Sequence, residues 1–359
     1  MPDRVITDIR QITPERLTEI LRRDGALQQG EVTALDMNVN ERELSTGVKL
    51  GVTYSTDARG TLPRKLFLKL VNAQVDEDEY FGPSEVDYYV RDYVGVEGVP
   101  IPHCYDGAYS AALHRYHILL DDLSDTHMPS YERAPTLEHG FALADAMAAL
   151  HAPYWGAARL EAAGALIHDA SHVRRYAEIA LAGSEFIIEG CADQLAAHWP
   201  ALIRDTFARH PQALVERSAD LNGFTLIHGD ANLSNILIPR DGDRPLYVVD
   251  RQPFDWGLTT WLGVYDLAYT MVLKWDTQLR REFEQPVLAR YHAQLIERGV
   301  VDYGWDQLWS DYRLCIPICV YVATEWCRTE LRRDTMEWWM PMLQRTLTAM
   351  DDHDCAALY

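Results

Sequence analysis

The sequence predicts an α+β chain of two lobes, the first rich in strand and the second mainly helical. A chain of 359 residues exceeds what one hydrophobic core usually holds, and an apolar content of 48% is ample for two. Strand-like patterns crowd between Thr33 and Asp121, whereas helical spacing of apolar residues governs from Thr136 onward. The expected division is therefore residues 1–121 and 122–359. No internal repeat, heptad series or low-complexity segment appears.

Thr33 to Val39 and Val48 to Tyr54 read as two strands joined by a turn from Leu44 to Gly47. Gly47 would let backbone amides approach a phosphate, which makes Ser45, Thr46 and Gly47 candidates for covering one, although any hairpin carries such residues. Neither G-x-G-x-x-G nor G-x-x-x-x-G-K-[ST] occurs, so no dinucleotide-type or Walker-type cradle can be argued. Lys65 to Val71 alternates as a strand does, and Lys69 stands in an otherwise apolar run. A buried ammonium there needs an anionic partner, while an edge-strand lysine would simply face water. Pro83 to Arg91 reads as a helix starting at Ser84; it offers Glu85 as that partner, with Asp87 as the competing acid if the helix rotates. Tyr116 to Leu123 reads as a strand breaking into an acidic connector, and Thr136 to Leu150 as an amphipathic helix followed by a structural His151.

The most informative stretch runs from Leu226 to Ile238 and on to Asp250. Two apolar runs flank a polar loop that carries His228, Asp230 and Asn235, and the strand-like Leu246 to Val249 delivers Asp250 at its end. Protein kinases write their catalytic loop H-R-D-x-x-x-x-N, the Asp taking the proton of the attacking hydroxyl and the Asn holding magnesium, with a later Asp on the metal again. Here the spacing from Asp230 to Asn235 is the same, with Gly229 in place of Arg. Gly, Asp and Asn are also ordinary turn residues, but four such groups in register with two apolar strands exceed what a plain turn requires.

H-G-D-x-x-x-x-N, an apolar run ending in Asp, and then Gly263 to Tyr269 with Asp266 resemble the aminoglycoside phosphotransferase and choline kinase superfamily, including its ecdysteroid-kinase-like relatives. The resemblance implies a two-lobed protein-kinase-like fold that phosphorylates hydroxyls of small molecules with ATP, or GTP, and magnesium. It implies Asp230 as base, Asn235 and Asp250 as metal ligands, and His228 and Asp266 as braces of the loop. Lys69 and Glu85 would serve the nucleotide phosphates, and the backbone from Leu120 through Asp121 to Leu123 the adenine. The segment from Arg251 to Tyr265 is longer than the family pattern and contains a second D-F-G-like triplet, Asp255 to Gly257, so Asp255 stands as the alternative to Asp250.

Composition narrows the partners. With 54 acidic against 33 basic residues, a net charge of −21 argues against a nucleic-acid surface, which needs clustered cations. Charges interrupt the first nine residues, and the apolar run from Cys315 to Ala323 is far too short to span a bilayer, so a cytoplasmic protein is expected. The six cysteines form no C-x-x-C; Cys315 and Cys319 are expected to pack as small hydrophobes, and Cys104 to lie in a loop without a nucleophile's activating base. Tryptophans and acids interleave in the C-terminal helices, where core packing is the ordinary role of Trp. Trp326, Glu330 and Trp338, with Asp255, are chosen there as acceptor contacts, suited to a cationic or polyhydroxylated small molecule such as an antibiotic, amino alcohol, sugar or natural product. Two other classes of function stand beside this one: a nucleotide-binding pseudokinase that regulates, and a nucleotidyl transferase on the same fold.

Overall fold

Alternation of apolar and polar residues in the N-terminal third resolves into a five-stranded antiparallel sheet. The computed structural model describes residues 4–76 and 79–359; residues 1–3, which begin the segment read for a signal, and residues 77–78 lie outside it. The chain forms two compact units, one of Met1–Glu97, Ile101–Met128 and Pro239–Asp255, the other of Gly98–Pro100, Pro129–Ile238 and Trp256–Tyr359.

In the first unit β1 (Val32–Glu41), β2 (Ser45–Tyr54), β3 (Lys65–Asn72), β4 (Cys104–Ser110) and β5 (Arg115–Asp121) pair in the order β1-β2-β3-β5-β4. The period-two pattern of β3 sends Leu66, Leu68 and Leu70 into a core with Val48, Leu50 and Val52 of β2. Leu17, Ile20 and Leu21 cover that core from helix α1 (Pro14–Asp24). The ends of α1 are written locally: Thr13 caps the amide of Arg16, Pro14 opens the helix, and Gly25 closes it at φ 96°.

One expectation is corrected here. The turn between β1 and β2 is residues 42–44, closed by the Arg42 amide donating to the Ser45 carbonyl at 2.8 Å, so Ser45, Thr46 and Gly47 already lie in β2. Gly47 pairs with Lys69 across the sheet, and a Cβ there would press on the Phe67 ring at 3.2 Å. Close packing accounts for this glycine without a phosphate-covering turn.

The expected division at residue 121 leaves out Pro239–Asp255, which specific bonds tie to the first unit. Arg251 pairs with the buried Asp92 at 2.7 Å, and Ser84 donates to the Gln252 carbonyl. Asp92 ends a π-helical turn, Tyr88–Asp92, that continues helix α2 (Ser84–Asp87).

The second unit is mainly helical. Helix α3 (Leu137–His151) starts where Thr136 caps the His139 amide and ends on His151, which is fully buried. Helix α4 (Ala170–Gly190) crosses α9 (Ile318–Glu325) at Gly183, where a Cβ would run into the Thr324 carbonyl. Between them come α5 (Trp199–Arg217), α6 (Val264–Ala268) with its π-helical continuation Tyr269–Lys274, α7 (Thr277–Glu297) and α8 (Trp305–Cys315); α10 (Met336–Asp352) follows. Strand β6 (Phe224–Leu226) leads into the polar loop, and β7 (Ile236–Pro239) leads out of it. Strand β8 (Tyr247–Val248), which belongs to the first unit, precedes Asp250, and β9 (Thr260–Leu262) of the second unit pairs antiparallel with β6.

All six cysteines are free thiols; Cys315 and Cys319 are buried. Cys104 lies in β4 rather than a loop, and burial pushes its thiol up to about 12, far from a nucleophile's range. No helix among the described residues is long and apolar enough to cross a membrane.

Candidate active site

Lys69 lies on β3, which is flanked by β2 and β5, so the edge-strand reading does not apply. Its ammonium is 2.6 Å from Glu85 Oε1 and 3.1 Å from Asp250 Oδ1. Glu85 is buried and accepts a further bond from the Tyr116 hydroxyl, while Asp87 turns to Arg91 at 2.8 Å. Two carboxylates thus share one ammonium. Burial opposes the Lys69 charge, but Asp250 and Glu85 outweigh it and its pKa rises; burial, with Asp250 adding, raises Glu85 as well. Surplus negative charge of this kind suits a divalent cation.

Asp250 leaves the two-residue β8 at φ 59°, a left-handed conformation that Asp tolerates better than most side chains. Its amide donates to the Tyr89 hydroxyl at 3.3 Å, and its side chain is 44% exposed, buried enough to be aimed yet open enough to take a ligand. Asp255 is exposed. Among the described residues no three His, Cys, Asp or Glu side chains are arranged to hold a metal by themselves. A hard oxygen donor such as the Asp250 carboxylate fits magnesium, which takes one or two protein ligands and completes its shell with phosphate and water.

In the second unit the loop after β6 is held from below by Asp266 of α6, which is fully buried. One Asp266 oxygen accepts the His228 amide at 2.7 Å and the other the Gly229 amide at 2.9 Å. His151 adds its Nε2 at 3.0 Å and is itself fixed by the Tyr291 hydroxyl at 2.8 Å. Burial works against the Asp266 charge, but His151 and the loop amide outweigh it and hold the carboxyl below its ordinary value. Gly229 takes φ 78°, so the residue that stands where protein kinases have Arg is required by the turn.

The Asp230 carboxylate is clamped on both oxygens. Tyr269 donates its hydroxyl to Oδ1 at 2.6 Å, and the Asn235 amide nitrogen donates to Oδ2 at 3.0 Å. The same nitrogen reaches the Asp230 carbonyl at 3.0 Å, which turns the Asn235 oxygen, bonded by Ser234 at 3.0 Å, to the opposite side. Thr270 ties the loop to the helix through the Ala231 carbonyl at 2.7 Å. The arrangement fixes the carboxylate in one orientation.

A two-unit kinase-like fold with this loop defines a class, the small-molecule phosphotransferases. Residues 86–299, more than half of the chain, match the ecdysteroid kinase-like family, and the chain belongs to that family. Among solved structures, ethanolamine kinase from Plasmodium vivax aligns with a TM-score of 0.56 at 13% identity, over 89% of this chain and 83% of that one. Spectinomycin phosphotransferase in complex with ADP and spectinomycin aligns at 0.51 and 11%, over 97% of both chains. A choline/ethanolamine kinase family protein from Mesorhizobium loti aligns at 0.52 and 12%, over 90% and 92%. At these identities the likeness is one of fold. A search of curated proteins found no match.

The adenine expectation is narrowed by the backbone. The Asp121 amide donates to the His103 carbonyl at 3.1 Å, and the Leu123 carbonyl accepts from Thr126 and His127 at 3.0 and 2.8 Å. Leu120 lies within the ladder, opposite both Phe67 and Cys104. The Asp121 amide, the Leu123 carbonyl and the ladder groups of Leu120 are thus already engaged within the protein.

The acceptor candidates are only partly brought together. Trp326 and Trp338 meet edge to face at 5.8 Å and are exposed, as is Glu330, while Asp255 belongs to the other unit. Of the acids expected to attract a cation, three form ion pairs: Asp311 with Arg217 at 2.7 Å, Glu325 with Arg328 at 3.1 Å and Asp334 with Arg332 at 2.8 Å.

Sequence reasoning missed what surrounds Asp230. Tyr269, Tyr176 and Lys274 all lie where the Asp230 charge acts on them. The signal was present for Lys274, an ammonium in the apolar run from Met271 to Trp275, the same pattern that singled out Lys69. Replacing Tyr269 by Phe removes the clamp on Oδ1 and little else. We expect kcat to fall about tenfold, the weight of one hydrogen bond to a charged group, with an unchanged melting temperature and KM for ATP. A kcat within a factor of about two of the parent's would make that bond incidental.

Proposed function

We propose that this chain moves the γ-phosphoryl group of ATP, or GTP, to a hydroxyl of a small molecule, with Asp230 as the base. The observation that carries the reading is the Asp230 carboxylate, fixed by Tyr269 and Asn235 on a loop braced by Asp266. The acceptor hydroxyl gives its proton to Asp230 while its oxygen bonds to the γ-phosphorus; the bond from that phosphorus to the bridging oxygen breaks, and ADP leaves. The first unit would bind the nucleotide, Lys69 facing the phosphates with Glu85 behind it, and the second would hold the acceptor. Asn235 and Asp250 are the residues that would hold magnesium, which neutralises phosphate charge when bound. The ADP held by the fold relative spectinomycin phosphotransferase supports an adenine nucleotide.

Titration of magnesium at fixed ATP separates the two candidate carboxylates. Asp250→Ala should raise the magnesium requirement about tenfold or more, because a ligand is lost, while Asp255→Ala, an exposed side chain, should change it little. The reverse ranking would move the metal site to Asp255.

A further inference from the structure

A lysine at the end of the π-helical turn Tyr269–Lys274 has no role in the mechanism above. Bonding of residue i to i+5 in such a turn brings Lys274 round over Tyr269, whose hydroxyl is 2.6 Å from Asp230. Lys274 is half-buried, and its one hydrogen-bond partner among the described residues is the Met342 thioether at 2.9 Å. Thioether sulfur is a weak acceptor, and a buried ammonium without an anion at contact distance is costly.

The surroundings sharpen the contrast. Lys69 has two carboxylates at contact distance, whereas Lys274 has Asp230 near enough only for its charge to be felt. A second cation, Arg345 of α10, adds its repulsion and donates to the Leu273 carbonyl at 3.1 Å. Burial, the largest influence, and Arg345 both press the Lys274 pKa down. Buried aromatic rings pack around Tyr269 and its neighbours. Tyr265 packs on Tyr269 with ring centres 6.1 Å apart, its hydroxyl is 3.4 Å from that of Tyr176, and Tyr176 stacks on Trp256 at 5.8 Å. Glu325, whose charge reaches Tyr176, is paired with Arg328.

We propose that Lys274, reinforced by Arg345, binds an anionic group of the acceptor, a carboxylate, sulfate or phosphate ester, and so positions the acceptor's hydroxyl at Asp230. The proposal rests on the reading of Asp230 as the base and names the acceptor as an anionic hydroxy compound.

Calorimetric titration with inorganic sulfate reads the site without turnover. It is run on the full chain and on Lys274→Met, Lys274→Arg and Lys69→Met, with circular dichroism to check each fold. The expected result is sulfate binding in the parent, in Lys274→Arg and in Lys69→Met, and a dissociation constant raised about tenfold or more in Lys274→Met. Sulfate affinity unchanged in Lys274→Met, or lost in Lys69→Met, overturns the site. A second arm measures ADP release with 4-(hydroxymethyl)benzoate, its methyl ester and 4-(aminomethyl)benzyl alcohol. Preference for the acid, abolished in Lys274→Met through KM, supports the assignment; preference for the ester or amine, or a uniform fall in kcat for all three, overturns it. Failure of the phosphotransferase reading is a different result: no ADP release with any acceptor, whatever sulfate does.

Discussion

Asp230→Asn lowers kcat by a factor of about a hundred to ten thousand and leaves ATP affinity unchanged, the usual cost of removing a general base. The change is nearly isosteric, and the clamp from Tyr269 at 2.6 Å can still be accepted by the amide oxygen. What is lost is the ability to take a proton from the acceptor, together with the bond from Asn235, whose amide donor then faces a second donor. Steady-state kinetics with nucleotide binding measured separately would check both halves. Turnover within a factor of two or three of the parent would remove Asp230 from the mechanism, since a correctly placed base does not contribute so little.

The largest expected effect on stability is at Asp266. Asp266→Ala takes one fully buried carboxylate from two loop amides and from His151, leaving all three without that acceptor. Leaving a buried donor without its acceptor costs about 1–3 kcal/mol, and three such donors together are enough to unfold a marginal unit or to release the loop that carries Asp230. The pH dependence has a definite sign. Because the folded-state pKa lies below the ordinary value of 3.8, the stabilisation is fully present above that value and is lost as pH falls through the folded one. The stability gap between parent and Asp266→Ala should therefore be flat near neutrality and close only below pH 3.8. Chemical denaturation at several pH values measures it; a gap that closes already at pH 6 would assign the effect to another group.

The parts of the site that were legible in sequence are those set by local chain geometry or by the cost of a buried charge. H-G-D-x-x-x-x-N is contiguous, so one turn between β6 and β7 brings Asp230 and Asn235 within 3.0 Å. Lys69 was legible because an ammonium in an apolar strand needs an anion, and Glu85 stood on the next helix. The turn before β2 was misplaced because residues 42–44 contain neither Gly nor Pro, and Gly47 drew attention for packing reasons. The reach of Tyr269 to Asp230 depends on tertiary packing, and the position of Lys274 on a π-turn that no residue type announces. Helix α1 was overlooked although Thr13, Pro14 and Gly25 mark both its ends.

The most direct test of the account is product identification. The purified chain is incubated with magnesium, ATP labelled at the γ-phosphorus and a broad panel of hydroxylated small molecules, aminoglycosides and hydroxy acids included, and the products are resolved by mass spectrometry. The account predicts ADP and a small molecule carrying one new phosphoryl ester in equal amounts, both abolished in Asp230→Asn. Release of pyrophosphate with a nucleotidylated acceptor, or labelling of protein substrates with no small-molecule product, would contradict it.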